Sequence, residues 1–264
     1  MYGSFHLQTL NLIKMKITRL SWAGLIIESP TTTLYIDPLQ NVANMEPFLG
    51  TPKFPIFAIP ASKTEKAHAL ITHIHQDHFD QPFLKELLVN DGELWGPEPV
   101  FTEALKINLK ANIAKLHETF TIGDFTITAV PAVDWIGDEQ ISYVISDGKH
   151  TILHGGDTNW HGYWWQIATK YGPFDAAFLP VNGVVGAVPQ VVPAIEMFGT
   201  MTPAQAVSAT RILGSKQLIP MHYAQFFNPP LYSQFPDIEN ALDNAGKDQK
   251  INIRRLKDGE ILAL

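Results

Sequence analysis

A layered α/β sandwich, with two β-sheets face to face and helices on the outer surfaces, is the fold class this sequence predicts. Three observations carry the expectation. Short apolar segments of strand length recur in both halves of the chain, helix signals accompany them in each half, and no linker separates the halves. Elements that are apolar on one face must bury it, and stacked layers do so for this mixture of strands and helices. The sequence shows no internal repeat and no low-complexity tract. Met15 opens the first periodic segment, so the expected organisation is an extension over residues 1–14 and a single domain over residues 15–264.

Taken in order, residues 16–29 (KITRLSWAGLIIES) read as a strand of mixed alternation. After the turn Pro30-Thr31-Thr32, residues 33–36 form a second strand ending at Asp37-Pro38, which completes a hairpin pattern. Residues 40–66 are irregular and rich in proline and apolar side chains, and a loop of that length in a compact domain usually covers something. Residues 67–72 are a short buried strand that runs into a histidine cluster. Asp80 is placed as an N-cap, with Pro82 in the first turn of a helix to about Val89.

Further strands are expected at residues 125–130, 141–146 and 151–153, the last two joined by the turn Asp147-Gly148. A helix over residues 160–171 closes at Gly172, and residues 175–181 are another buried strand. Thr202-Pro203-Ala204-Gln205 is a capping box, and Gly214 ends its helix. Residues 218–221 are a strand that delivers His222; a helix near 237–245 and a terminal hairpin around Asp258-Gly259 follow.

Composition narrows the function classes. A net charge of -7 argues against nucleic-acid binding, which usually shows a basic face. No apolar run approaches the roughly 18 residues of a membrane helix. The absence of cysteine excludes a disulfide framework, thiolate metal ligands and a cysteine nucleophile. It fits a reducing compartment, and a cytoplasmic location is the expectation. The apolar stretches 45–60 and 182–200 suit a homo-oligomer contact, and 182–200 reads as a lid or interface.

The chemistry concentrates in His73-Ile74-His75-Gln76-Asp77-His78. Two residues apart on extended backbone, His73 and His75 point the same way. Asp77 and His78 follow at the turn into the helix. Imidazole and carboxylate suit zinc, manganese or iron, and two histidines for one ion with an Asp-His pair for its neighbour is the expected division. No G-x-S-x-G run offers a serine nucleophile.

This run, in its context, resembles the metallo-β-lactamase superfamily from Met15 onward. Asp37 in LYIDPL is similar to that superfamily's early aspartate. HGGDT (154–158) is similar to the segment carrying a bridging carboxylate, here Asp157, and PMHY (220–223) to that carrying the last histidine, here His222. GGDT, YGPFDAAFLPV, MTPAQAV and IPMHYAQF together look most like the ascorbate-6-phosphate lactonase-like and N-acylphosphatidylethanolamine phospholipase D-like branch. The resemblance implies a four-layer αββα sandwich. In one place the chain departs from that branch: Asp134 stands after Pro131-Ala132-Val133 where a histidine is expected. Three readings of it are open: a ligand, an acid that supports the site from behind or faces the substrate beside a weaker metal site, or a vacancy filled by another histidine such as His161.

The resulting expectation is a hydrolase with two divalent ions, zinc foremost and manganese or iron as alternatives. A hydroxide bridging them would attack a lactone, ester or phosphodiester, a small-molecule substrate. Its metal ligands would be His73, His75, Asp77, His78, Asp134, Asp157 and His222, with Asp77 also orienting the hydroxide. Trp135, His161 and Tyr223 are candidate substrate contacts. His154, beside the GGD turn, reads as structural or as support for the site. The alternatives are a non-catalytic metal-binding protein on the same fold and an iron-dependent oxidoreductase.

Overall fold

The computed structural model describes residues 15–62, 64, 66–186 and 197–264. The expected extension 1–14, and the part of the expected lid over 187–196, lie outside the described residues. Among the described residues two sheets stack. The first, in spatial order, holds β15 (Ile261–Ala263), β1 (Lys16–Arg19), β2 (Leu25–Glu28), β3 (Thr33–Ile36), β4 (Ala67–Leu70), β5 (Leu94–Gly96) and β6 (Ala111–Ile113). The second holds β13 (Leu218–Met221), β11 (Ala176–Pro180), β10 (Thr151–His154), β9 (Ile141–Ser146), β8 (Phe125–Pro131) and β7 (Thr119–Ile122). A small ribbon pairs β12 (Val185–Gly186) with β14 (Tyr232–Ser233).

Side-chain alternation decides the layers. In β2, Leu25 and Ile27 enter the core between the sheets while Ile26 faces outward; in β11, Ala176 and Phe178 face in and Ala177 and Leu179 face out. Both outward faces are covered, so strands β3, β11 and β13 are buried throughout and read as apolar runs. Helices α2 (Gln81–Leu87) and α3 (Glu98–Lys106) cover the first sheet through Leu84, Val100 and Ala104. Helices α4 (Trp164–Tyr171), α5 (Pro203–Ile212) and α6 (Ile238–Gln249) cover the second through Trp164, Ala206 and Leu242. The arrangement is a four-layer αββα sandwich.

Several boundaries differ from expectation. Residues 16–29 are two strands, because Leu20–Gly24 turns back: Leu20 N–H donates to Gly24 O at 2.9 Å. Both strands are buried on both faces, which hid the break in alternation. A Cβ on Gly24 would stand 2.9 Å from the Leu20 Cβ, so the turn needs a glycine there. The helix expected from 160 begins at Trp164, after a loop that leaves the candidate site. The terminal hairpin is absent: β15 pairs with β1, and the turn at Gly259 docks on Arg19. Strands β5, β6 and β7, at three or four residues each, carry no measurable period and escaped the sequence reading, as did the nine-residue helix α3. A short helix, α1 (Glu46–Leu49), lies within the irregular stretch 40–66.

One capping residue has a second task. Asp80 accepts from Phe83 N–H at 3.1 Å to start α2, and its carboxylate also accepts from the Gln40 and Asn41 N–H groups at 2.8 and 2.7 Å. It thereby ties α2 to the chain that leads into α1. At the far end of the second sheet, the Asp147-Gly148 turn joins β9 to β10, with Gly148 at φ +85° and open space where a Cβ would sit. No helix among the described residues is long and apolar enough to cross a membrane.

Candidate metal centre

The cluster is assembled where strands end. β3 delivers Asp37; the loop after β4 delivers His73, His75, Asp77 and His78; β8 leads to Asp134, β10 to Asp157, β11 to Asn182 and β13 to His222. Ligand sites outside the carboxyl ends of strands follow from this topology. Two of these residues take left-handed backbone although neither is glycine, Asp37 at φ 42° and His222 at φ 59°, as does Trp22 across the site at φ 63°. Such conformations concentrate at functional sites, where surrounding structure holds them.

Hydrogen bonding assigns the imidazole tautomers. Thr72 Oγ1 donates to Asp37 Oδ2 at 2.7 Å, so the same hydroxyl accepts from His73 Nδ1–H at 3.0 Å. His78 Nδ1–H donates to Asp37 Oδ2 at 2.8 Å. His222 Nδ1–H faces Asn182 Oδ1 at 3.4 Å. Each ring is left with an Nε2 lone pair pointed into the site. Asp37 is fully buried and also accepts from Thr72 N–H at 2.8 Å, so one carboxylate orients two histidines.

Those lone pairs converge on two carboxylates. His73 Nε2 lies 3.5 Å from Asp157 Oδ2; His222 Nε2 and His78 Nε2 lie 3.3 and 3.6 Å from Asp77 Oδ2. Two groups result, His73/His75/Asp157 and Asp77/His78/His222, and within each a donor atom from every residue lies within 4.8 Å of the others. His73 Nε2, His78 Nε2 and Asp157 Oδ1 are buried with no hydrogen-bond partner, although buried polar atoms are normally satisfied. Unpaired lone pairs aimed at one another fit a metal cation held by nitrogen and oxygen donors. Burial works against the charges of Asp77 and Asp157. The neighbouring histidines outweigh it and hold both carboxyls below the ordinary range. Burial likewise opposes charge on His78, but Asp77 and Asp37 push its ring up to about 9, so a cation at Nε2 would take the place of a proton.

Trp22, missing from the sequence reading, closes one wall. Its Nε1–H donates to Asp77 Oδ2 at 2.8 Å and its ring centroid lies 3.9 Å from that of His222. The buried Arg19 guanidinium donates to Leu20 O and Trp22 O, and His222 N–H donates to Trp22 O at 3.1 Å. His154 is structural: its Nε2–H donates to Ala23 O at 2.8 Å and its Nδ1 accepts from Gly156 N–H at 3.2 Å. Burial keeps this ring neutral by lowering its pKa.

The other candidate residues separate. Asp134 Oδ1 accepts from the N–H groups of Ile136, Gly137 and Asp138 at 2.8, 2.9 and 3.1 Å, which folds the loop after β8. A donor atom of Asp134 groups with His75 and Asp138, and Asp134 is not in the group with His73 and Asp157. Asp138, also missed, accepts from His75 Nε2–H at 2.9 Å from an exposed position. Trp135 lines the cavity over the cluster. Tyr223 and His161 are not among its lining residues, a departure from their reading as substrate contacts. Tyr223 packs on the helical side, where burial and Glu239 raise its hydroxyl to about 12. His161 stacks on Trp164 with ring centroids 4.0 Å apart, and burial lowers its pKa to about 4. For Asn182 the available signal was an Asn-Gly pair just past a buried strand; for Trp22 it was the Gly24 break.

Residues 32–223 match the family model described as a beta-lactamase superfamily domain. A metal-dependent hydrolase of Myxococcus xanthus is 28% identical over 238 residues, spanning 85% of this chain and 75% of the relative. Another, of Pyrobaculum islandicum, is 25% identical over 262 residues, spanning 95% of this chain and 100% of the relative. Among solved structures, Igni18, a metallo hydrolase from Ignicoccus hospitalis, superposes with a TM-score of 0.69 at 18% identity, covering 95% of this chain and 98% of that one; this is a likeness of fold.

Proposed function

As the chain belongs to the beta-lactamase superfamily and is a hydrolase of the metallo-β-lactamase fold, we propose that it is a metal-dependent enzyme cleaving a lactone, ester or phosphodiester. Those substrate classes follow the lactonase-like and phospholipase D-like branch whose motifs it resembles. The observation that carries the proposal is the set of buried, unpartnered Nε2 and Oδ atoms on His73, His78 and Asp157.

In this reading His73, His75 and Asp157 hold one divalent cation, and Asp77, His78 and His222 a second. When bound, such ions lower the pKa of water and polarise a carbonyl or phosphoryl oxygen. The chain supplies the rest. Asp77 lines the cavity as an ionised carboxylate fixed by the Trp22 indole, so it is placed to orient a nucleophilic water. Asp37, Thr72 and Asn182 keep the imidazoles in the tautomers that ligation needs. Asp134 takes the second of its three readings: with one oxygen bound by three amides it shapes the loop beside the cavity, and the first cation set is left with three donors. His161, stacked on Trp164, is not its replacement.

The test is metal analysis of protein purified without added metal, combined with turnover of esters, lactones and bis-(p-nitrophenyl) phosphate by wild type and Asp77→Asn. Bound divalent metal with activity lost in the variant is the expected result. Metal-free protein that stays metal-free on titration with zinc, manganese and iron would overturn the reading.

A further inference from the structure

Above the metal centre lies a cavity of about 600 Å³, within the size range of small-molecule sites. Its floor is His75, Asp77, Asp157 and His222. Its walls come from three separate parts of the chain. Met45, Phe48 and Leu49 belong to the α1 region, Trp135 and Ile136 to the loop folded by Asp134, and Val184 to the entry into β12. The indole is clamped: Gly199 N–H donates to Val184 O at 2.6 Å, and a Cβ on Gly199 would stand 3.2 Å from the Trp135 ring and 2.9 Å from Val184 Cγ1.

The charge of this cavity is as informative as its shape. No lysine or arginine is among the described lining residues. Two polar lining groups are hydrogen-bonded to Asn182. The Tyr232 hydroxyl accepts from Asn182 Nδ2 at 2.8 Å, and the Thr200 hydroxyl donates to Asn182 Oδ1. Beyond the floor, the remaining polar lining side chains are the neutral amides of Asn44 and Gln76. At the edge stand two acids, Asp134 and Asp138, with Asp138 exposed beside His75. A phosphate or carboxylate on the distal part of a substrate would leave water for apolar walls with no cation to receive it, at a large desolvation cost.

We infer that the substrate is a neutral ester or lactone bearing an apolar alkyl or aryl tail, which the Phe48–Trp135–Val184 walls take up, and not a phosphorylated or carboxylated compound. This rests on the hydrolase reading above. Each methylene that leaves water for the cavity is worth roughly a threefold to fourfold gain in kcat/KM. Trp135 and Ile136 are the residues that set the preference.

The experiment compares p-nitrophenyl hexanoate with mono-p-nitrophenyl adipate, esters of equal chain length that differ by a terminal carboxylate, on the metal-loaded protein. The expected result is at least a tenfold higher kcat/KM for the neutral ester, and a rise from p-nitrophenyl acetate to hexanoate. Ile136→Lys, at an exposed wall position, should narrow the neutral-to-anionic ratio, and Trp135→Ala should flatten the dependence on chain length. An adipate ester turned over as well as the hexanoate would overturn the inference. A second readout does not need turnover: quenching of tryptophan fluorescence by p-nitrophenyl hexyl ether and by 6-(4-nitrophenoxy)hexanoate, with Trp135→Phe as control. Tighter binding of the neutral ether without hydrolysis of any ester would sink ester hydrolysis and leave the apolar pocket standing; equal or tighter binding of the carboxylate would sink the pocket.

Discussion

Around His78 and His222 each ligand group is anchored from behind by a buried partner. Asp37 holds His78, Asn182 faces His222, and the Trp22 indole holds Asp77. Around His75 the support is different in kind. His75 is partly exposed, and its partner Asp138 sits on a loop with nearly half of its side chain in solvent. Both halves use the same donor chemistry, yet one is built into the sheet ends and the other leans on a loop. The difference teaches where this chain keeps its chemistry fixed and where its own specificity resides, because the loop that carries Asp138 also carries Trp135 and Ile136.

Removing a ligand from the anchored half should have the largest effect. Partners that orient metal ligands are worth about 10- to 100-fold, so His222→Ala or Asp77→Asn should cost more than about 100-fold in turnover and lose bound metal, as read by kinetics and elemental analysis. Near-wild-type turnover in either would break the ligand assignment. Asp37→Asn comes next, with metal affinity expected to fall roughly 10- to 100-fold in a chelator competition, because it weakens the acceptor of His78 and of the Thr72 hydroxyl that orients His73.

Stripping the metal should lower thermal stability. Saturation to about 100 times Kd stabilises a fold by about 2.7 kcal/mol, which for a chain of this size is roughly 5–10 °C in Tm. The comparison sharpens here: a graded chelator should release the His73/His75 ion before the Asp77/His78/His222 ion, and simultaneous release would erase the distinction. Asp138→Asn should weaken the first ion less than about tenfold, since solvent can replace an exposed acceptor.

The smallest effect is expected at His161. Its folded pKa of about 4 lies below the unfolded value, so the unfolded chain takes up the proton first and stability falls as pH drops from about 6.5 toward 4. His161→Phe should make that acid limb shallower in urea titrations at several pH values, while metal content stays unchanged. Loss of one metal equivalent in this variant would restore His161 as a ligand of the weaker half.

The candidate metal donors were legible because they are close in the chain or sit at strand ends whose apolar runs are easy to see. The layered fold was legible from the same runs. What stayed hidden depends on distance through the chain. Trp22 meets Asp77 across 55 positions, and Asp138 meets His75 across 63, through turns that no local spacing encodes. Asp134 shows the other limit. A carboxylate where an imidazole is expected invites a ligand role, but three backbone amides compete for the same oxygen, and only the folded loop reveals them.

The Asp147-Gly148 turn offers a practical use of the sheet's polarity. Ile141, at the other end of β9, bonds to Thr72 beside the metal centre, and a strand of six residues is about 20 Å long. A peptide tag or surface-coupling handle grafted at Gly148 would therefore sit on the rear of the sandwich. Enzyme immobilised through it would present its cavity mouth outward, with the catalytic end of the sheet free of the support.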